Sequence, residues 1–214
     1  MPVVLHLHGQ AESILSHQDI ALFCLKNGIG LFMLSYRGHY KSCGKASEQG
    51  VYNDAEAAIL QLKKLGVAED NLIIWGHSLG TAVAIETALN RNVLGVILQC
   101  PIKEIKSAAI DVYKFYGKKL RLLAMGAFFE NHIQKIDFIQ KMDSINKIER
   151  ITSPILVLHS KADRVAPWQN SVELAQKNPH SELYLSDAGN HWASDWCLDR
   201  ILEFVKGGKV ATIE

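Results

Sequence analysis

The chain has 214 residues, enough for one domain with a sizeable core, and its apolar (48%) and charged (21%) fractions are those of a globular protein. Against 22 acidic residues stand 23 Lys and Arg, so the formal charge is only +1 and gives no field to gather nucleic acid or an anionic membrane. Cys24, Cys43, Cys100 and Cys197 follow neither disulfide-framework nor metal-ligand spacing, no basic cleavable leader precedes Val3, and every apolar run is too short to span a membrane; the expectation is a soluble, cytoplasmic protein.

Val3 to His8 reads as a buried strand ending in His-Gly. Ser16 to Lys26 reads as a helix capped by Ser16, with Asp19 three residues on and Gly28 as its stop. Leu31 to Tyr36 is a second strand, closed by Arg37-Gly38. Helical spacing follows at Val51, Ala55, Ala58, Ile59, Leu62 and Leu65, ended by Gly66. Strands are expected at Leu72–Trp75 and Val93–Cys100, with a small-residue helix, Leu79–Asn90, between them. Beyond Pro154 come a strand at Ile155–His159, a helix at Trp168–Lys177, a strand at Glu182–Leu185 and a helix at Trp192–Lys206. Strands apolar on both faces and separated by helices mean an α/β protein with a mostly parallel six-stranded sheet covered on both sides. Residues 1–206 form one domain in this reading and 207–214 a flexible tail. The stretch 102–151 is too long for a crossover and reads as a helical cap insert over the carboxyl edge of the sheet.

The strongest chemical signal is Gly76-His77-Ser78-Leu79-Gly80, a G-x-S-x-G pentapeptide between a strand and a helix. The turn must present the Ser78 hydroxyl to a cleft, and side chains at Gly76 and Gly80 would strike neighbouring backbone. A serine hydroxyl needs a base. Of nine histidines, His191 lies in a turn after the last strand, where loops gather at the carboxyl edge of the sheet. His6, His17, His39, His132, His159 and His180 show no partner pattern, and the His77 side chain is expected to point away from Ser78. Asp163 leaves a strand end and is the expected orienting acid, with Asp187 and Asp195 as rivals near His191 in sequence. Ser78, Asp163, His191 is the chain order of one triad fold. The oxyanion donors are expected to be the backbone N–H groups of Gln10, in the loop after the first strand, and Leu79.

Together these pieces resemble the α/β-hydrolase superfamily, and within it the Bem46-like branch that includes the α/β-hydrolase domain-containing 13 type. The resemblance rests on His8-Gly9-Gln10-Ala11, on Tyr36-Arg37-Gly38-His39-Tyr40-Lys41-Ser42-Cys43-Gly44 leading to Ser47-Glu48-Gln49-Gly50-Val51-Tyr52-Asn53-Asp54-Ala55, and on His191-Trp192-Ala193-Ser194-Asp195-Trp196. Ser35, Gln10 and Ser160 depart from the residues usual at those places, and two strands that normally precede the one at Val3 are absent. The resemblance implies an esterase or thioesterase that works through an acyl-enzyme. Its chemistry asks for no metal and no organic cofactor.

The insert carries Tyr113, Phe115, Tyr116, Phe128 and Phe129, which suit an acyl chain or equally pack the cap on the body, so the expected partner is a small acyl ester or thioester, with a lipid-like one among the candidates. Lys114, Lys118, Lys119 and Arg121 read as a solvated face rather than a membrane contact. The alternative function is a catalytically weak or inactive member of the fold that acts as a binding module. The strand at 31–36 has no charge, Pro or Gly to protect it as a sheet edge, so the expectation is either a natural chain that begins upstream of Met1 or a homodimer through that edge.

Overall fold

Every strand runs parallel to its neighbours in the computed structural model, which describes residues 1–10, 12–104 and 142–207. The strands are β1 (Val3–Leu7), β2 (Gly30–Leu34), β3 (Leu72–His77), β4 (Gly95–Gln99), β5 (Ile155–Ser160) and β6 (Ser181–Ser186), in the order β2-β1-β3-β4-β5-β6. The chain steps outward from β1 to β2, then returns across β1 to lay down β3 and the rest. The direction of winding therefore reverses between β1 and β3, the place where parallel sheets open a crevice at their carboxyl ends. Leu7 is in register with Gly76, and Gln99 with both His77 and Leu158, so the loops leaving β1, β3, β4 and β5 start at one level.

Both faces of the sheet are covered, which is why its strands are apolar throughout. Leu5, Leu7, Ile74 and Leu98 pack on one face against α2 (Glu48–Lys64) and α3 (Leu79–Ala88), whose buried stripe runs through Val51, Ala55, Ile59 and Val83. Val4, Ile73, Trp75 and Ile97 pack on the other against α1 (Gln18–Lys26) and the final helix, through Ile20, Phe23, Ile201 and Val205. The interior strands β3, β4 and β5 are buried at every residue, whereas the edge strands β2 and β6 are half-exposed at every residue. The expected apolar edge is thus β2, which hydrogen-bonds to β1 on one side; among the described residues no strand pairs with its other side.

Three helix boundaries differ from expectation. Ser16 does not cap α1: Ser13 caps a short 3₁₀ turn, Ile14–Ser16, the Ser16 hydroxyl accepts the Ser13 N–H, and α1 begins two residues later. Helix α2 begins before Val51, because the Ser47 hydroxyl accepts the Gly50 N–H and caps it. The last helix does not begin at Trp192, since Asn190 Oδ1 accepts the N–H groups of Trp192 and Ala193 and holds them in a turn.

Of the predicted insert, 105–141 lies outside the described residues, as does the tail from 208. Its two ends meet through an antiparallel bridge between Glu104 and Asp143, followed by α4 (Ser144–Lys147). The remaining helices are α5 (Gln169–Lys177) and α6 (Leu198–Val205). Among the described residues no helix is long and apolar enough to cross a membrane.

Candidate active site

The turn from β3 into α3 bends as sharply as its glycines imply. Ser78 has φ 51° and ψ −118°, a conformation an L-residue holds only when its surroundings enforce it. A Cβ on Gly80 would strike the Leu7 carbonyl of β1, and one on Gly76 would strike the backbone of Gly80 and Thr81. The strained residue is fixed from both sides: its N–H donates to the Gln99 carbonyl (3.0 Å), and its carbonyl accepts from the Thr81 N–H (3.0 Å) and hydroxyl (2.6 Å).

His191 and Asp163 reach Ser78 from the ends of β6 and β5. His191 Nε2 lies 3.0 Å from Ser78 Oγ, and Nδ1 lies 2.7 Å from Asp163 Oδ2. With Nδ1–H donating to the carboxylate, Nε2 is left as an acceptor for the serine hydroxyl. Asp163 is itself held, because Oδ1 accepts from the N–H groups of Val165 (2.7 Å) and Ala166 (3.0 Å) in the turn after β5. Burial pushes this carboxyl up, but the hydrogen bonds from His159 and His191 more than offset it and hold it well below the usual carboxylate range. The rival acids lie elsewhere: Asp187 is 86% exposed and pairs with Lys161, and Asp195 accepts the Trp196 N–H.

Two histidines read from sequence as lacking a partner pattern correct that reading. His159, fully buried, places Nε2 3.1 Å from Asp163 Oδ2, the oxygen His191 also faces, and Nδ1 2.6 Å from Ser171 Oγ. His17 places Nε2 3.2 Å from Glu12 Oε2. His77 turns to Glu12 and to the His191 carbonyl. A spacing of four residues before Asp163 was the available signal for His159; nothing in sequence pairs Glu12 with His77, which is 65 residues distant.

The loop after β1 abuts Ser78, for a Cβ on Gly9 would come within 3.2 Å of the Ser78 Cβ. Gln10 follows at the exposed rim and Leu79 opens α3, so the two expected oxyanion donors belong to segments that flank Ser78. Cys100, at the end of β4 with φ 49°, is buried near Asp163, and burial first, then that carboxylate, raises its thiol well above the usual range. Among the described residues there are three sets of possible metal donors, the donor atoms of each set lying within 4.8 Å of one another: Glu12, His17 and His77; His77, Cys100 and His191; Cys100, His159 and Asp163. The last two sets draw on His191 or Asp163, whose nitrogen and oxygen atoms are engaged in the chain of bonds to Ser78.

The family described as serine aminopeptidase, S33 matches residues 2–149, more than half of the chain, and a model described as alpha/beta hydrolase fold matches 113–196. Human alpha/beta hydrolase domain-containing protein 17B is 29% identical over 181 residues, which are 82% of this chain and 56% of that protein. The Escherichia coli protein YfhR is 27% identical over 200 residues, 88% of this chain and 62% of that protein. The chain therefore spans little more than half the length of these relatives. Among solved structures, an esterase from Pyrococcus furiosus superposes with a TM-score of 0.77 at 20% identity, covering 96% of this chain and 81% of that one. A monoacylglycerol lipase from Paleococcus ferrophilus gives 0.68 at 19%, covering 96% and 94%. These likenesses do not single out the Bem46-like branch, but with a family matched over most of its length and the fold shared, the chain belongs to the α/β-hydrolase superfamily.

Proposed function

We propose that the chain is a serine hydrolase that cleaves an acyl ester or thioester through a covalent acyl-enzyme. The observation that carries this reading is the unbroken hydrogen-bonded chain from Ser78 Oγ through His191 to Asp163. In the proposed reaction His191 Nε2 takes the Ser78 proton as Oγ attacks the acyl carbonyl carbon. Asp163 keeps the imidazole in the tautomer that can accept this proton and stabilises the imidazolium. The N–H groups of Gln10 and Leu79 receive the developing oxyanion, the latter helped by its place at the start of α3. His191 then protonates the leaving group, and water, deprotonated by the same imidazole, releases the acid and restores Ser78. No step asks for a metal or an organic cofactor.

The substrate class is part of the proposal. An esterase and a monoacylglycerol lipase are among the solved structures sharing this fold, and the aromatic stretch 113–129 of the sequence suits an acyl chain. The peptidase description of the matched family is not carried over. A fluorophosphonate probe should label the wild-type chain at Ser78, and Ser78→Ala should lose labelling and lower turnover of short p-nitrophenyl esters by roughly six orders of magnitude. An unlabelled, inactive wild type would favour the binding-module reading, and a mutant that hydrolyses esters as fast would show that Ser78 is not the nucleophile.

A further inference from the structure

The Ser78 site leaves a second buried carboxylate unused. Glu12 lies in the loop after β1 with its side chain 5% exposed, and its Oε2 accepts the Gly9 N–H (2.5 Å) and faces His77 Nδ1 (2.9 Å) and His17 Nε2 (3.2 Å). Burial pushes the Glu12 carboxyl up, but the adjacent His17 and His77 imidazoles more than offset it, and the group is held well below the usual range. The second nitrogen of His77, Nε2, lies 2.7 Å from the main-chain carbonyl oxygen of His191. His77 therefore stands between two oxygens that can only accept. When both bonds are made, both ring nitrogens donate, and a Glu12 carboxylate balances the charge.

These bonds tie together three segments that the chain brings from three strands. Glu12 grips Gly9, the neighbour of Gln10, in the loop after β1. His77 belongs to the elbow after β3. The carbonyl it reaches is the backbone of His191, after β6. We propose that Glu12, through His77 and Gly9, is a positioning residue that locks the Gln10 loop and the His191 backbone to the nucleophile elbow. This rests on the serine-hydrolase reading, in which these three segments carry the oxyanion donor, the nucleophile and the base. The arrangement suits that task because acyl transfer tolerates little misplacement: about 1 Å at the reacting atoms costs on the order of 10²-fold in rate. It also differs from a metal site built on the same donors. A cation would need the Nδ1 lone pair of His77, which is engaged wherever Nδ1–H donates to Glu12.

The test compares Glu12→Gln, His77→Asn and the double variant with the wild type, counting active sites by fluorophosphonate labelling. We expect each single change to lower kcat per labelled site by roughly 10- to 100-fold, with KM within about twofold. The double variant should lose little more than the worse single one, because the two residues act as a unit. A lower melting temperature with kcat per labelled site unchanged would overturn the inference, leaving the cluster as a folding brace. So would additive losses in the double variant, or zinc that stabilises the wild type but not Glu12→Gln. Failure of the wild type to label would sink the hydrolase reading itself; a labelled, ester-cleaving wild type beside an unaffected Glu12→Gln would sink this inference alone.

Discussion

Asp163 and Glu12 form a pair worth setting side by side. Each is a buried carboxylate facing two imidazoles, His191 and His159 in one case, His77 and His17 in the other, and each is held below the usual carboxylate range despite burial. What separates them is the far nitrogen of the leading imidazole. For His191 it faces the Ser78 hydroxyl, which can give up a proton; for His77 it faces a carbonyl, which has none to give. Under the proposed function, the same carboxylate–imidazole pair serves as a proton-handling device or as a fastening, according to the third group in line. In that reading Asp163 orients a side chain and Glu12 orients main chain.

The sharpest way to break this comparison is to remove the acidity of Asp163 while keeping its shape. Asp163→Asn should lower kcat by about 10⁴-fold, because the amide can donate to Nδ1 and so favours the tautomer that cannot accept the serine proton. His159→Gln should cost far less, roughly tenfold, since the Val165 and Ala166 N–H groups still hold Oδ1. Turnover per labelled site measures both. If Glu12→Gln were costlier than Asp163→Asn, the roles assigned to the two carboxylates would be reversed.

The two carboxylates also differ in how far they can be read from sequence. Ser78, Asp163 and His191 are each legible because the signal is local: a G-x-S-x-G turn, an acid at a strand end, a histidine in a strand-to-helix turn. The topology of a parallel sheet then brings such turns to one edge, and the three side chains do meet. Glu12 is illegible because the partner that links it to the site, His77, comes from another strand and its own loop carries no pattern. His159 is hidden for a different reason: inside an apolar strand a histidine reads as core, and its role depends on Ser171 and Asp163 turning back to it. The helix starts fail more simply. Several polar residues compete to cap each one, and Ser13 rather than Ser16 wins at the first.

Acid should expose what the two carboxylates share. Both have folded-state values depressed below those of the unfolded chain, near 4. A depressed carboxyl adds stability that is fully present above its unfolded value and is lost as pH falls through that value toward the folded one. The wild-type melting temperature should therefore fall steeply from about pH 5 downward. Glu12→Gln and Asp163→Asn should each melt lower at neutral pH but with a shallower acid slope. Differential scanning calorimetry across this range is the measurement; a variant with the full wild-type slope would show that its carboxylate is not linked to folding.

The smallest effects are expected from the acids nearest His191 in sequence, and they bound the comparison from below. Asp187 is 86% exposed, and its Lys161 partner, 3.0 Å away, is 43% exposed. Water screens such a pair, and holding two long side chains together offsets most of the little that remains, so surface pairs of this kind contribute about 0–1 kcal/mol. Asp195 accepts the N–H of its neighbour Trp196 at the start of a helical turn, a local contact worth some tenths of a kcal/mol at most. Neither carboxylate is the one in line with His191 Nδ1, a place Asp163 fills at 2.7 Å. Asp187→Asn and Asp195→Asn should accordingly keep kcat per labelled site within about twofold and stability within about 0.5 kcal/mol of wild type. A loss in Asp187→Asn approaching that of Asp163→Asn would mean that the β6–α6 turn swings its own acid onto His191 during turnover. The buried Asp163 would then be a fastening like Glu12, not its counterpart.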